Sequence, residues 1–156
     1  MNDDGTRNQT VNPGSFGLAW DVAGVADFNA DGVDDILWRH QSHKNGPNRI
    51  WLMNDDGTRN QTVNPGTFGS AWDVAGVADF NADGVDDILW RHQSLRNGPN
   101  RIWLMNDDGT RNQTVKPGNL DSAWDVAGIA DFNADGVADI LWRHQSHKNG
   151  PNRIWL

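Results

Sequence analysis

Oxygen-bearing side chains recur at a fixed spacing in one short segment of this sequence. Residues 27–35 read DFNADGVDD, and the segment returns at residues 79–87 and 131–139 with a single change, in the third copy. Side-chain oxygens occupy positions 1, 3, 5 and 9, and position 6 is glycine. Calcium takes six to eight oxygen ligands, and a tight loop can turn alternate side chains toward one point. The spacing therefore predicts a calcium loop in each copy.

The predicted ligands are the side chains at positions 1, 3, 5 and 9, together with the backbone carbonyl at position 7. They are Asp27, Asn29, Asp31, Val33 and Asp35 in the first copy, Asp79, Asn81, Asp83, Val85 and Asp87 in the second, and Asp131, Asn133, Asp135, Val137 and Asp139 in the third. Three such loops predict about three Ca²⁺ ions per chain. Position 8, which is Ala138 in the third copy, has no part in this ligand scheme.

Two alternatives to this interpretation differ in what they require of the loop. An EF-hand ends with a bidentate glutamate at position 12, whereas position 12 here is Trp38 and the chain contains no glutamate. Asn, Asp and Gly also favour turns for conformational reasons alone. A turn needs only two or three such residues, and this loop has four oxygen side chains in register. Calcium is therefore favoured over a simple turn.

The loops belong to a larger repeat that covers the whole chain. Three units of 52 residues occupy 1–52, 53–104 and 105–156. The first two units differ at only four positions, which are Ser15/Thr67, Leu18/Ser70, His43/Leu95 and Lys44/Arg96. Such near-identity indicates recent duplication or engineering, and self-similarity at this period is typical of propellers and solenoids.

Each unit is predicted to form four short strands. Segments rich in strand formers are separated by Gly, Pro, Asn and Asp, and no segment shows helical periodicity. In the first unit the predicted strands cover residues 20–28, 36–41, 49–54 and 58–63. Four strands per repeat of this length predict a β-propeller blade. A β-solenoid is the alternative, but its coils are usually shorter and lack these hairpin turns.

The loop and the strand after it resemble the FG-GAP/VCBS repeat, most specifically in the segment VADFNADGVDDILW at residues 25–38. Such repeats occur in bacterial surface and secreted proteins, in integrin α-subunit propellers and in some lectins. The resemblance implies a propeller that binds Ca²⁺ between the first and second strands of each blade. It also implies an extracellular or cell-surface location for the parent protein. Family propellers usually have about seven blades, whereas this chain has three.

Three blades are too few to close a ring, because propellers have about four to eight. The expected blades are residues 20–63, 72–115 and 124–156, and the last has no fourth strand of its own. Residues 6–11 carry the sequence of that strand, so a neighbouring chain is expected to supply it. A head-to-tail contact of this kind closes a ring if the rotation allows. The predicted assembly is a homodimer with six blades, with a homotrimer of nine blades as the alternative.

Composition excludes several classes of protein. The net charge is −8, and no basic stripe is available for phosphates, so a nucleic-acid partner is not expected. The chain has no cysteine, which excludes disulfides. No apolar run approaches the length of a membrane span, so insertion into a membrane is not expected. The first residues do not read as a signal peptide.

Two further groups of residues were considered for ligand binding. Each unit has three tryptophans, whose faces suit the apolar side of a sugar ring, but core packing is the favoured role for Trp38 and Trp51. A second group is the polar run Arg39-His40-Gln41 and its copies. These residues could line a ligand pocket between blades, but we favour a structural network in which Arg pairs with Asp. The histidines are too sparse for a zinc site.

The repeat offers no asymmetric catalytic grouping, so we expect no enzymatic activity. The sequence therefore predicts a calcium-stabilised propeller scaffold that assembles with itself. A multivalent carbohydrate-binding lectin with sites between blades is the alternative, and residues that would bind a sugar are not identified by the sequence.

Overall fold

A computed structural model describes residues 1–41, 44–93, 96–145 and 149–156. Within these ranges the chain is entirely β-strand, turn and loop, with no helix. In particular, none of the described residues forms a helix long and apolar enough to cross a membrane. The turn predicted at residues 42–48, with the variable position 43, lies partly outside the described residues.

The first sheet has four antiparallel strands in sequence order. They are β1 (Trp20–Ala26), β2 (Asp35–His40), β3 (Asn48–Met53) and β4 (Arg59–Val63). Branched and aromatic residues such as those of β2 and β3 favour the pleated, packed surface of a sheet. The sheet places the acidic loop between its first two strands.

The second and third sheets repeat this arrangement. The second has four strands, which are β5 (Trp72–Ala78), β6 (Asp87–His92), β7 (Asn100–Met105) and β8 (Arg111–Val115). The third has three strands, which are β9 (Trp124–Ala130), β10 (Asp139–His144) and β11 (Asn152–Trp155). The predicted all-β fold of repeated antiparallel sheets is confirmed. It is consistent with propeller blades, and the three sheets do not close into a ring.

The observed strand bounds differ from the prediction where side chains interrupt the ladder. The first strand was expected to extend through Phe28, but it ends at Ala26. The N–H of Phe28 donates instead to Asp35 Oδ2 at 3.0 Å, so the acidic loop begins at Asp27. β1 also carries a bulge between Val22 and Gly24. The bounds of β2, β3 and β4 differ from the predicted bounds by one residue at one or both ends.

The N-terminal segment, residues 1–11, has no strand within the described chain. It nevertheless lies against the first blade. The distance shows this: a Cβ built on Gly57 would lie 3.6 Å from Val11 Cβ. Val63, one repeat later, lies in the same way against Gly109. The segment therefore occupies the place of a fourth strand that precedes the first sheet, with its own ladder partner missing.

The first strands of successive sheets contact each other, β1 with β5 and β5 with β9. Glycine is needed at this contact: a Cβ at Gly24 would lie 2.9 Å from Val77 Cγ1, and one at Gly76 would lie 2.1 Å from Ile129 Cδ1. Real Cβ atoms essentially never come so close. Small residues thus let the first strands converge where the blades meet.

Arginines in the second strand of the first and second blades bind the start of the next blade. Arg39 is buried and its Nη2 donates to the carbonyls of Phe68 (3.2 Å), Gly69 (3.1 Å) and Trp72. Its Nη1 donates to Asn48 Oδ1 at 3.1 Å. These bonds join the second strand of the first blade to backbone carbonyls at the start of the second blade.

Candidate metal centre

The acidic loop follows β1 and is shaped by two residues in the left-handed region of backbone space. Ala30 has φ 58° and Gly32 has φ 83°. A non-glycine residue in this region is uncommon and carries some strain. The alanine recurs in this conformation in all three copies (φ 58–62°). The loop therefore folds back on itself at the same two points in every blade.

Asp27, at position 1, organises the loop through its carboxylate. Its Oδ1 accepts the N–H groups of Asn29 and Asp31, both at 3.2 Å, and its Oδ2 accepts that of Gly32 at 2.8 Å. The first predicted ligand thus holds the backbone of the loop in place around itself.

Positions 3 and 5 are joined directly to each other. Asn29 Nδ2 donates to Asp31 Oδ2 at 2.8 Å, and Asp31 Oδ1 accepts the N–H of Val33 at 2.8 Å. The same bonds recur in the second and third loops. The structure therefore brings the predicted side-chain ligands at positions 1, 3 and 5 together.

Asp35, at position 9, is fully buried beneath the loop. Its Oδ2 accepts the N–H of Phe28 at 3.0 Å, and its Oδ1 accepts that of Met53 at 2.8 Å. Asp87 makes the equivalent bonds to Phe80 and Met105. The last predicted side-chain ligand therefore also ties the loop to the third strand of its blade.

The side chains do not converge into a ready-made coordination shell. Within the described parts of the chain, no group of three or more His or Asp side chains is placed to hold a metal ion. The oxygens of positions 1, 3 and 5 are turned largely toward backbone amides of their own loop. The loop thus carries oxygen side chains at the predicted spacing, and they are bonded within the loop and to its blade.

Position 8 has a role that the ligand scheme did not predict. Asp86, at position 8 of the second loop, accepts the N–H of Asp27 on its Oδ2 at 3.0 Å and donates its own N–H to the Asp27 carbonyl at 2.8 Å. Ala138 keeps the backbone bond, to the Asp79 carbonyl at 2.9 Å. Position 8 therefore joins each loop to the loop of the preceding blade.

Burial and neighbouring charges raise the pKa of two position 9 carboxyls, those of Asp35 and Asp87. The pKa of Asp35 is about 6, chiefly because burial penalises its charged form, and Asp31 and Asp27 add repulsion. The pKa of Asp87 is about 7 for the same reasons, with Asp83 and Asp79 nearby. Burial also raises the pKa of Asp86. A bound cation would relieve this repulsion.

The metal-free chain should therefore be more stable at pH 5 than at pH 7.5. A carboxyl whose pKa is higher in the folded state binds its proton more tightly there, so its stabilising effect is present below pH 3.8 and is lost as pH rises through about 6 to 7. Each unit of pKa difference corresponds to about 1.4 kcal/mol. Thermal unfolding in a chelator across this range measures the trend, and a midpoint that rises with pH would contradict it.

The aromatic and arginine residues considered for a sugar site are engaged in packing. Trp51 is buried, as predicted, and Trp38 is half-buried against it with ring centroids 4.8 Å apart. Phe16, which the sequence analysis missed, stacks on Trp20 at 4.8 Å and on Trp51 at 4.9 Å. Arg39 donates its hydrogen bonds to backbone carbonyls and to Asn48, and the carboxylate of Asp73 attracts it electrostatically. These side chains have structural roles.

The fold and the loop define a class of protein: an all-β chain of repeated four-stranded blades, each with an Asp-rich loop after its first strand. Residues 27–90 match the family model of the FG-GAP-like repeat. The three units are nearly identical, so the matched sequence recurs along the chain, which is similar to FG-GAP-like repeats. A comparison with curated proteins found no match.

Proposed function

We propose that this chain is a non-enzymatic, calcium-binding propeller scaffold that assembles head-to-tail with copies of itself into a closed ring. One observation carries the proposal. The contact between successive sheets forms twice inside the chain, and the outward faces of the first and third sheets, here called the open faces, carry the two sides of a third such contact. Six blades from two chains are favoured over nine from three, because six lies within the common range.

Calcium is supported by the chemistry of the loop. All its charged groups are carboxylates, its ligand set is oxygen only, and hard cations such as Ca²⁺ prefer such ligands. Asp27, Asn29, Asp31 and Asp35, with the Val33 carbonyl, would hold the ion in the first blade. When bound, calcium supplies positive charge that neutralises the crowded carboxylates and links the loop to the buried Asp35. Millimolar calcium outside cells would fill even modest sites, which fits an extracellular location.

The open faces complement each other at the first strands. Inside the chain, Gly24 receives Val77 and Gly76 receives Ile129. Gly128, the third glycine of this series, has only Leu141 of its own blade nearby, at 4.0 Å. Val25, the residue equivalent to Val77, is 53% exposed. A second copy would bring Val25 onto Gly128 and bury both.

The same complementarity extends to the loops and the arginines. Phe28 is fully buried beside the second blade, whereas its counterpart Phe132 is 45% exposed at the open end. Arg143, the counterpart of the buried Arg39, is also exposed there. Asp34, on the first blade, is equivalent to Asp86 and would bond to Asp131 of a second copy. Exposed apolar surface marks an interaction face, and here it lies next to polar groups whose counterparts bind a neighbouring blade.

Native mass spectrometry with and without a chelator tests both parts of the proposal. We expect masses of two or three chains carrying about three calcium ions per chain. A metal-free monomer in millimolar calcium would contradict both calcium binding and assembly. An oligomer without calcium would contradict only the metal.

A variant at the open face sharpens this measurement. Gly128→Ala would place a methyl group where Val25 of the second copy should lie, so the oligomer should weaken while the monomer still folds. Gly69→Ala is the matched control, because a Cβ there meets nothing within 4 Å. Equal oligomer stability in the two variants would contradict the proposed contact.

A further inference from the structure

An asparagine followed by a glycine recurs at the same turn of every repeat. The pairs are Asn45-Gly46, Asn97-Gly98 and Asn149-Gly150, and a proline follows each of them. In all three pairs the asparagine is exposed and the glycine is buried. The turn joins the second strand of each sheet to the third, and it has no part in the calcium loop.

Contact with the next sheet requires the glycine. A Cβ built on Gly46 would overlap the carbonyl oxygen of Phe68, and one built on Gly98 would overlap that of Leu120. Gly46 also has φ 49°, in the left-handed region that favours glycine. The fold therefore places an obligatory glycine directly after an exposed asparagine.

The turn is hydrogen-bonded to the segment that leads into the second sheet. The Lys44 carbonyl accepts the N–H of Ser70 at 3.3 Å, and the Gly46 carbonyl accepts that of Phe68 at 3.2 Å. Asn45 lies between these two carbonyls along the chain. The length of main chain across Asn45 thus sets the spacing of two hydrogen bonds between the first and second blades.

This pair of residues can react with itself, because asparagine is thermolabile and glycine has no Cβ to shield its nitrogen. The Gly46 nitrogen attacks Asn45 Cγ, so an N–Cγ bond forms and the Cγ–Nδ2 bond breaks. Nδ2 leaves as ammonia with the proton that the Gly46 nitrogen gives up. Water then opens the resulting cyclic imide at either carbonyl. One product is aspartate, and the other is isoaspartate, whose main chain runs through the side-chain carbons.

We propose that the three exposed asparagines are sites of spontaneous deamidation, and that the reaction loosens the contact between blades. Isoaspartate at position 45 would add one methylene group to the main chain between the Lys44 and Gly46 carbonyls. The two bonds to the second blade could not then both keep their lengths. The Gly98 carbonyl, which accepts the N–H of Leu120 at 3.3 Å, should be displaced in the same way. Water is the only other reactant, so the inference is independent of calcium and of self-assembly.

Storage of the purified chain in buffer over several weeks tests the modification. The intact mass should rise by one unit for each conversion, as an amide becomes a carboxylic acid. All three turns give the same tryptic peptide, NGPNR, so the rise should be found in that peptide. Its first asparagine should convert about tenfold or more faster than Asn60, which precedes glutamine and not glycine.

The matched control is a chain with Asn45→Gln, Asn97→Gln and Asn149→Gln. Glutamine keeps an exposed amide at each turn, but its longer side chain must close a larger ring to react. The mass of the corresponding peptide should stay constant on storage. An equal rise in both chains, or no rise in the unaltered chain, would overturn the proposed sites.

Amide hydrogen exchange tests the consequence for the contact between blades. The N–H groups of Phe68 and Ser70 should exchange about tenfold or more faster in the stored chain than in the fresh one, because their acceptors have moved. Fresh Asn45→Asp adds the same charge without lengthening the main chain, so its exchange should stay near that of the fresh chain. Unchanged exchange in a converted chain would overturn the effect on the contact. Equal acceleration in Asn45→Asp would overturn the lengthened main chain as its cause.

Discussion

Replacing Arg91 with alanine should lower the free energy of unfolding by about 3–5 kcal/mol, the range for breaking a buried charged network. Arg91 Nη2 donates to the carbonyls of Asp121, at 2.8 Å, and Trp124. Its guanidinium also lies 5.0 Å from the ring centroid of Trp142. The substitution would remove the Arg91 bond to the Trp124 carbonyl, one of the two bonds to the Asp121 carbonyl, and the stacking contact between the second and third blades.

Arg91 stays charged in this junction although burial lowers its pKa, because arginine titrates far above neutral pH and the carboxylates of Asp125 and Asp121 oppose the shift. For a chain of this length, each kcal/mol corresponds to about 2–4 °C in the unfolding midpoint. Thermal unfolding followed by circular dichroism should therefore show a fall of about 10 °C.

The matched control is Arg143→Ala. Arg143 occupies the same place in its blade, but it is exposed. The substitution should leave the unfolding midpoint of the monomer nearly unchanged and weaken the oligomer. If both substitutions lower the monomer midpoint equally, the inter-blade role assigned to Arg91 is wrong.

Asp87→Ala should have the second large effect, a loss of about 2–4 kcal/mol of stability together with one calcium ion per chain. The buried carboxylate accepts two backbone N–H groups, from Phe80 at 3.0 Å and Met105 at 2.9 Å. Alanine would leave both donors buried without partners. It would also remove a predicted ligand, so calcium should raise the unfolding midpoint less than in the unaltered chain.

Asp86→Ala is the control for this experiment, because the third copy already has alanine at that position. It should lose the bond to the Asp27 N–H and retain every calcium ion. Calcium titration by calorimetry measures the number of bound ions. Thermal unfolding in chelator and in excess calcium measures the loss of stability separately. Full calcium stoichiometry in Asp87→Ala would remove that residue from the ligand set.

Local patterns were sufficient to predict the fold. The 52-residue period, the four segments rich in strand formers and the turn residues between them each depend on neighbours in sequence. They predicted the strands to within one or two residues. The error at Phe28 has a clear cause: its N–H is taken by Asp35, seven residues away, and a strand-forming residue was drawn into the loop.

Contacts between blades were not predictable in the same way. Arg39 was expected to pair with an Asp, but its acceptors lie about 30 residues further along the chain, on backbone atoms that sequence does not distinguish. Asp86 was set aside because the ligand scheme had no use for position 8, although it bridges two loops. The replacement at Ala138 was the available signal, since a residue that varies alone among fixed neighbours has a separate role.

The two open faces of the chain differ in chemistry, one presenting Val25 and the other presenting Gly128, so neither can pair with itself. In the proposed assembly the contact is head-to-tail, and a ring of two chains would form two such contacts in a single association event. Each substitution at the seam would then act twice, and its effect on the free energy of dimerisation would be twice its effect on one contact. A tenfold weakening of one junction would appear as about a hundredfold weakening of the dimer. Assembly of the ring would therefore respond steeply to small changes at a single position.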